Sequence, residues 1–476
     1  MSRMQEIDPD VQAARLPTTL WIELTSKCPF DCVFCSRKLL RGDGEHMDFG
    51  LFRTILEQLD RPELIRLNYS GESIHYPRLG EAIRLAGATG AVTELVTALA
   101  SVTTATLREI LESGLDRLSV SLHALDSDLF QQIYHFSSLE AMRRRIDQFM
   151  QMRAELGART ALDFAFVAMD TNLGELSALA ALSESLGVTD ISVHPVLKRD
   201  PIPVDFSRET SGVTLTEGFR TRLGEAVSEA RRRHPGVQIQ VANPAAATGH
   251  TLQDVPAHFP GLLPIGARIA TCEQSPWETV HILANGDVMP CEVQDKIPLG
   301  NLRSETLAEI WRGERYRDFR RRYSAGENPH CRECPWKLAY RPTPWTERVA
   351  PPCGSAQLLR GWHAPEDGLV WSKPAGLLVL ASARQASNLR LGGVLPPGPD
   401  GIANHLRLAS GGVALGEWKN ESSKLLPLEI SCPLVQPPGQ PFYLELTTRH
   451  AYSPARQGHG ADQRLLGFAL QYAELA

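Results

Sequence analysis

The sequence predicts an α/β protein: a partial (β/α)6 barrel, then a small α+β segment, then a C-terminal antiparallel β-sandwich. Three observations predict it. Strand-like and helix-like runs alternate six times between residues 18 and 200. A second segment, 266–350, carries a hairpin signature, a helical pattern and four cysteines. From residue 358 onward the helical pattern fades, and short alternating runs recur among Gly and Pro. The expected boundaries are a tail at 1–17, the barrel with its connector at 18–265, the cysteine-bearing domain at 266–350 and the sandwich at 358–476. A chain of 476 residues suits roughly three such domains.

In order, the strand-like runs of the first part are LWIELT, LIRLNYS, AVTELVTA, RLSVSLH, TALDFAF and DISVHPV. Between them lie helical patterns. In the first, Phe52, Ile55, Leu56 and Leu59 recur at the spacing of one buried stripe. Repeated strand–helix alternation argues for a parallel sheet covered by helices, and six units suit an open barrel. In such sheets ligands sit at the carboxyl ends of the strands. A connector at 197–212, a helix and the strand VQIQVAN follow. In ETVHILANGDVMPC, Asn285-Gly286 supplies the positive φ angles of a tight hairpin turn. TLAEIWRGERYRDFRRRY reads as a helix, and the runs GLLVLAS, HLRLAS, LLPLEIS and FYLELTT as sandwich strands.

The net charge of −6 argues against nucleic acid as a main partner. Three arginine triplets, at 143–145, 231–233 and 320–322, read as solvated helix faces rather than polyanion sites. No run approaches the roughly 18 apolar residues of a membrane span, and the first residues lack the apolar core of a signal peptide. A cytoplasmic location is therefore expected. In a reducing compartment the nine cysteines read as metal or redox ligands before disulfides.

Cys28, Cys32 and Cys35 lie within CPFDCVFC, directly after the first strand. Zinc would need a fourth protein ligand, for which His46 is the nearest candidate. An iron–sulfur cube also needs four ligands, one per iron. Three thiols leave one iron open, and an open site is where a metal can bind substrate. The second group is Cys272, Cys291, Cys331 and Cys334, a full set for one cube with no iron left open. Two pairs of thiols suit zinc equally well.

Cys-x3-Cys-x2-Cys after the first strand, with Phe34 before the last Cys, resembles the radical S-adenosylmethionine (SAM) enzymes. The resemblance implies a [4Fe–4S] cluster on Cys28, Cys32 and Cys35 whose open iron chelates SAM. It implies reductive cleavage of SAM to a 5′-deoxyadenosyl radical that abstracts a hydrogen atom from carbon. SGES, with Ser70, Gly71 and Glu72, stands where the family has Gly-Gly-Glu. There the backbone and Glu72 would meet the SAM amino group. Ser121 matches a polar ribose contact, and His123 stands where Asp is common. AMDTNLGEL resembles the family's turn into the next helix, and a plain cap by Asn172 is the alternative.

The words around the second group, CEQSPWETVHILANGDVMPC and CRECPW, resemble the SPASM/Twitch extension of that superfamily. Tyr340 stands where SPASM places a further Cys, which implies the shorter Twitch form with a single auxiliary [4Fe–4S] cluster serving electron transfer. Cys432 reads as a buried apolar residue, and Cys353 has no assigned role.

The leading expectation for function is a radical SAM oxidoreductase or isomerase acting on a carbohydrate-like small molecule, a sugar or sugar nucleotide. Its partners would include an electron donor such as flavodoxin or ferredoxin. It rests on the short segment before the first strand and on the similarity of shorter Twitch enzymes to aminocyclitol dehydrogenases. It rests also on a sandwich that looks like modules of surface-glycan enzymes. Trp362, His363 and Trp371 would there form a sugar-stacking face or, alternatively, fill the sandwich core. His75, His194, Lys198 and Arg199 lie near strand ends and could bind hydroxyls or phosphate. The alternatives are a peptide- or protein-modifying maturase and a non-catalytic iron–sulfur redox sensor.

Overall fold

A computed structural model describes residues 13, 15–99, 102–135, 138–196, 217–242, 252, 256–259, 261–292, 298–334, 336–351, 355–454, 462 and 464–476. Lys198, Arg199 and Cys353 lie outside the described residues. The chain divides into two compact units. One holds the described residues of 15–249 and 274–320, the other Ala13 and those of 250–273 and 321–476. The cysteine-bearing segment 266–350 thus contributes to both.

The first unit is built on one ten-stranded sheet. Its first seven strands are β1 (Thr19–Ile22), β2 (Leu64–Arg66), β3 (Val92–Thr97), β4 (Arg117–Ser121), β5 (Ala161–Ala168), β6 (Asp190–Pro195) and β7 (Gln238–Val241). They lie side by side in sequence order, every pair parallel. Two short strands of the other unit come next in the chain, β8 (Ala257–His258) and β9 (Arg268–Cys272). β10 (Thr279–Ile282) then returns to the barrel sheet and pairs parallel with β1, in the register Trp21 opposite His281. β11 (Asp287–Met289) and β12 (Gly300–Asn301) extend that edge antiparallel. Gly286 makes the turn into β11 with φ +93°, whereas Asn285 keeps a negative φ, so only the glycine takes the angle expected of the pair.

The crossover helices are amphipathic, and four of them begin with a side-chain cap. α1 (Arg37–Arg41) follows the first cysteines; α2 (Phe49–Glu57) buries Phe49, Leu51, Phe52 and Ile55, and the Asp48 side chain accepts from Leu51 N–H at its start. α3 (Leu79–Ala88), α4 (Thr104–Glu112), α5 (Ser127–Tyr134), α6 (Leu139–Leu156), α7 (Glu175–Leu186) and α8 (Glu217–Arg233) follow in alternation with the strands. Strand burial alternates. Leu118, Val120, Phe164, Phe166, Ile191 and Val193 join the helices in the main core. Arg117, Ser119, Ser121, Asp163 and Ser192 alternate with them and so face the inner side.

The second unit has two sheets. Strand β13 (Lys337–Tyr340) lies between β8 and β9, antiparallel to both. The rest is a nine-stranded antiparallel sheet of β14 (Arg348–Val349), β15 (Leu358–Trp362), β16 (Val370–Leu380), β17 (Ala386–Leu395), β18 (Asn404–Ser410), β19 (Val413–Asn420), β20 (Leu426–Gln436), β21 (Phe442–Thr448) and β22 (Ala469–Leu475). β16 turns the corner between layers: Val370 and Trp371 pair with β22, whereas Ala375–Leu380 pair with β21. The fold class expected from sequence is the one observed. Leu378, Leu389, Leu406, Leu444, Phe468 and their neighbours form a core of their own, in which Cys432 is buried.

Candidate functional site

The loop after β1 holds Cys28 and Cys32 half-buried and Cys35 exposed, all as free thiols. Short-range contacts fix it: Cys35 N–H donates to Cys32 O at 2.9 Å, and Val33 N–H to Ile133 O at 3.0 Å. Buried Arg37 clamps its two ends, donating to Ser26 O at 3.2 Å and Gly42 O at 3.0 Å. Burial pushes the Cys28 thiol up to about 12, with the Glu72 carboxylate adding to the effect, and raises Cys32 well above its ordinary value. A coordinating metal reverses that cost by binding the thiolate. Among the described residues no three His, Cys, Asp or Glu side chains converge on a position for one metal ion.

The Ser70–Gly71–Glu72 turn lies against this loop. A side chain at Gly71 would meet Thr25 O at 2.0 Å, so glycine is required for the close approach. Glu72 N–H donates to Lys27 O at 2.9 Å, locking the turn to the cysteine loop. The Glu72 side chain is 5% exposed. Its Oε2 accepts from Ala98 N–H at 3.0 Å, while Oε1 has no hydrogen-bond partner among the described residues. Burial pushes this carboxyl up to about 7, against the Ala98 donor. A buried carboxylate with one vacant acceptor fits a cationic group such as the ammonium of an amino acid.

Phe34 meets His123 edge-on, with ring centroids 5.0 Å apart, and His123 stacks on Tyr134 at 5.3 Å. His123 Nδ1 accepts from Val167 N–H at 3.1 Å, which assigns the proton to Nε2. Burial, with the charge of His194 adding to it, lowers His123 to about 3, so the ring is neutral. Ser121 ends β4 half-buried; its carbonyl accepts from Tyr134 Oη–H at 2.6 Å. Asn172 is not the cap of α7, where Gly174 stands. It ties β4 to β5, donating to His123 O and Val167 O, both at 2.9 Å, and accepting from Met169 N–H. His194 lies at the end of β6, where desolvation of its ring, with the charge of Arg66 adding to it, lowers it to about 4. His75 is exposed after the Glu72 turn.

Sequence reasoning missed Glu23, the residue after β1, which is 1% exposed. Its Oε1 accepts from Ser70 N–H and Ser70 Oγ–H, and its Oε2 from Ala284 N–H at 3.0 Å. One carboxylate thus joins the first strand, the Ser70 turn and the β10–β11 turn. The available signal was a lone acid in the apolar run LWIEL. Arg320 was misread as part of a solvated face. It is fully buried, 4.0 Å from the Trp311 and Tyr316 rings, donating to Pro276 O and Trp311 O. Its neighbours Arg321 and Arg322 are exposed.

Of the second cysteine group, Cys291 follows β11 in the first unit, where it adds to the upward shift that burial gives the Tyr316 phenol. Cys272, Cys331 and Cys334 belong to the second unit. Cys272 ends β9, opposite Lys337 of β13. Cys331 and Cys334 sit on and just after the short helical turn Pro329–Glu333, where Asn328 Oδ1 accepts from Cys331 N–H at 3.3 Å. The buried Tyr323 phenol is raised by burial and then by Cys272, Cys331 and Cys334, so the three thiols surround one region.

Residues 22–154 match the radical SAM superfamily, and residues 272–335 match SPASM, an iron–sulfur cluster-binding domain. The chain thus carries a radical SAM domain and a SPASM domain. Its radical SAM domain implies a [4Fe–4S] cluster and SAM, and its SPASM domain implies auxiliary iron–sulfur clusters. A PqqA peptide cyclase of Ruegeria pomeroyi is 26% identical over 307 residues, 62% of this chain and 74% of that protein. One from Streptomyces rochei is 26% identical over 344 residues, 70% and 84% of the two chains. A tungsten-containing aldehyde ferredoxin oxidoreductase cofactor-modifying protein of Pyrococcus furiosus is 23% identical over 337 residues, 66% and 86%. Streptococcus suis SuiB bound to S-adenosylmethionine shares the fold, with a TM-score of 0.51 at 16% identity over 65% of this chain and 70% of that one.

These relatives correct the expected substrate. Two of these relatives are named peptide cyclases and the third a cofactor-modifying protein, so a carbohydrate-like small molecule, with a sugar or sugar nucleotide as partner, is set aside. The physical reason is that the clue was indirect. In the sandwich, Trp362 packs on the core and its Nε1–H donates to Leu377 O at 2.8 Å, while His363 Nε2 lies 3.1 Å from Leu465 O. These side chains serve the sandwich rather than a sugar-stacking face. Among the described residues no helix is long and apolar enough to cross a membrane.

Proposed function

We propose that this chain is a peptide-modifying radical SAM enzyme, a maturase that abstracts hydrogen from a carbon of a peptide substrate. The observation that carries the proposal is the similarity to PqqA peptide cyclases over 307 and 344 residues. Joining two peptide positions with loss of C–H hydrogen is an oxidation, so the proposed reaction type is oxidoreduction. When bound, the cluster and SAM supply a 5′-deoxyadenosyl radical as the hydrogen acceptor.

The chain's own residues divide the work as follows. Cys28, Cys32 and Cys35 hold the cluster at three corners, and the Arg37 clamp keeps their loop in shape. Gly71 lets the backbone approach, and the Glu72 carboxylate, with its unpartnered Oε1, would hold the amino group of SAM. Ser121 and the Nε2–H of His123 offer polar contacts, with Phe34 covering the His123 ring. Cys272, Cys331 and Cys334 would hold the auxiliary cluster, and the sequence motif supplies Cys291 as the fourth ligand. A single such cluster, the Twitch arrangement, is supported by Tyr340, buried where a further ligand would stand.

The test is anaerobic incubation of the reconstituted protein with SAM, dithionite and a carbon-deuterated candidate peptide. Deuterium in 5′-deoxyadenosine and a lighter peptide by mass spectrometry are expected. About eight irons per chain are expected from two cubes. Cys32→Ala should abolish 5′-deoxyadenosine formation. Turnover of SAM with no peptide donor of deuterium would overturn the substrate, and cleavage retained in Cys32→Ala would overturn the ligand set.

A further inference from the structure

Lys337 opens β13 and is 1% exposed. Its Nζ donates to Gly261 O at 2.6 Å and to Cys334 O at 2.8 Å, and lies 5.6 Å from the centre of the Phe259 ring. A lysine has three N–H donors, so one is left without a partner among the described residues. No carboxylate lies within salt-bridge distance among the described residues; the neighbouring Glu333 is exposed. A buried ammonium without a counter-ion is unfavourable. Two neutral carbonyls do not offset that.

Three cysteines of the second group neighbour Lys337. It stands directly opposite Cys272 in the β9–β13 ladder, so the two side chains share a face. It holds the carbonyl of Cys334, and the charges of Cys334 and Cys331 act on it. The Tyr323 phenol, 3% exposed, interacts with Cys272 from within the same unit. With a cluster bound on these cysteines, the negative charge facing the ammonium would be thiolate. Four thiolates around a cubane carry a net negative charge, and the reduced cube carries one more than the oxidised.

We infer that Lys337 is the charge-compensating residue of the auxiliary cluster, its buried ammonium favouring the cluster's reduced state and so raising its reduction potential. Net charge and hydrogen bonds to sulfur are the levers by which a protein tunes such a centre, and a charge acts most strongly where water is excluded. The inference rests on the assignment of Cys272, Cys331 and Cys334 as ligands. It equips the auxiliary cluster to take up an electron.

The experiment uses the full chain with the first cluster deleted by Cys28→Ala, Cys32→Ala and Cys35→Ala, so that only the auxiliary cluster is read. Iron content is measured first, then the midpoint by EPR-monitored redox titration. In this background Lys337→Gln should move the midpoint to more negative potential, and Lys337→Arg should stay near the parent. An unchanged midpoint in Lys337→Gln overturns the inference. If Lys337→Gln loses its iron, Lys337→Met and Lys337→Arg decide. Iron kept in Arg and lost in Met supports charge compensation; iron lost in both assigns Lys337 to packing and overturns it. A parent that binds no iron overturns the ligand assignment, whatever the peptide chemistry proves to be.

Discussion

Glu72 shows how much one buried side chain can set. Its carboxyl is raised from about 4.5 to about 7 by burial, so in the unliganded protein folding holds the proton that unfolding releases. The sign follows. The contribution is fully present below about 4.5 and is lost as pH rises through about 7. Between pH 5 and 8 the SAM-free protein should lose stability, by at most about 3 kcal/mol at about 1.4 per pKa unit. Glu72→Gln should flatten that slope in thermal denaturation across the pH range; an unaltered slope would place the titrating group elsewhere. The cysteines, Gly71 and Glu72 stood out in the sequence through their resemblance to a known motif, and the structure sets the Gly71–Glu72 turn against the cysteine loop. Lys337 and Arg320 did not stand out, because a cation in a strand or helix run has the same letters whether it faces water or carbonyls.

At the level of elements, the alternation of apolar runs was enough to place the strands β1 to β7, since burial of every second residue is the same physics in sequence and in sheet. The return of β10 to the edge of β1 was not legible: hairpin letters say which strands turn into each other, not which third strand receives them. Glu23 is the fastening at that junction. Removing its carboxylate leaves the Ser70 and Ala284 N–H groups inside without an acceptor. Hydrogen bonds to a charged acceptor contribute about 1.5–3 kcal/mol each. Glu23→Ala should therefore lower the unfolding free energy by a few kcal/mol and weaken SAM binding, read by denaturant titration and by calorimetry. Full SAM affinity in that variant would limit Glu23 to a structural part.

Across the whole molecule, the barrel core and the sheet core of β14 to β22 are separate hydrophobic clusters. Heating should give more than one calorimetric transition. The sheet core contains Cys432 but none of the seven assigned ligands, so its transition should keep its temperature when iron is removed by a chelator. A fall in both transitions would show the sheet to be metal-dependent. The sandwich was readable as antiparallel from its turn-rich rhythm, but its role was not, because aromatic residues near a surface look alike whether they stack on ligands or on neighbours. One further consequence lies in the partner of β1. Thr19–Ile22 find their outer neighbour only at Thr279–Ile282, some 260 positions later in synthesis. Until the ribosome has passed that point, the growing barrel carries a naked backbone edge open to foreign strands. Nascent chains arrested before residue 279 should thus be the ones that chaperones hold and that aggregate when they are absent.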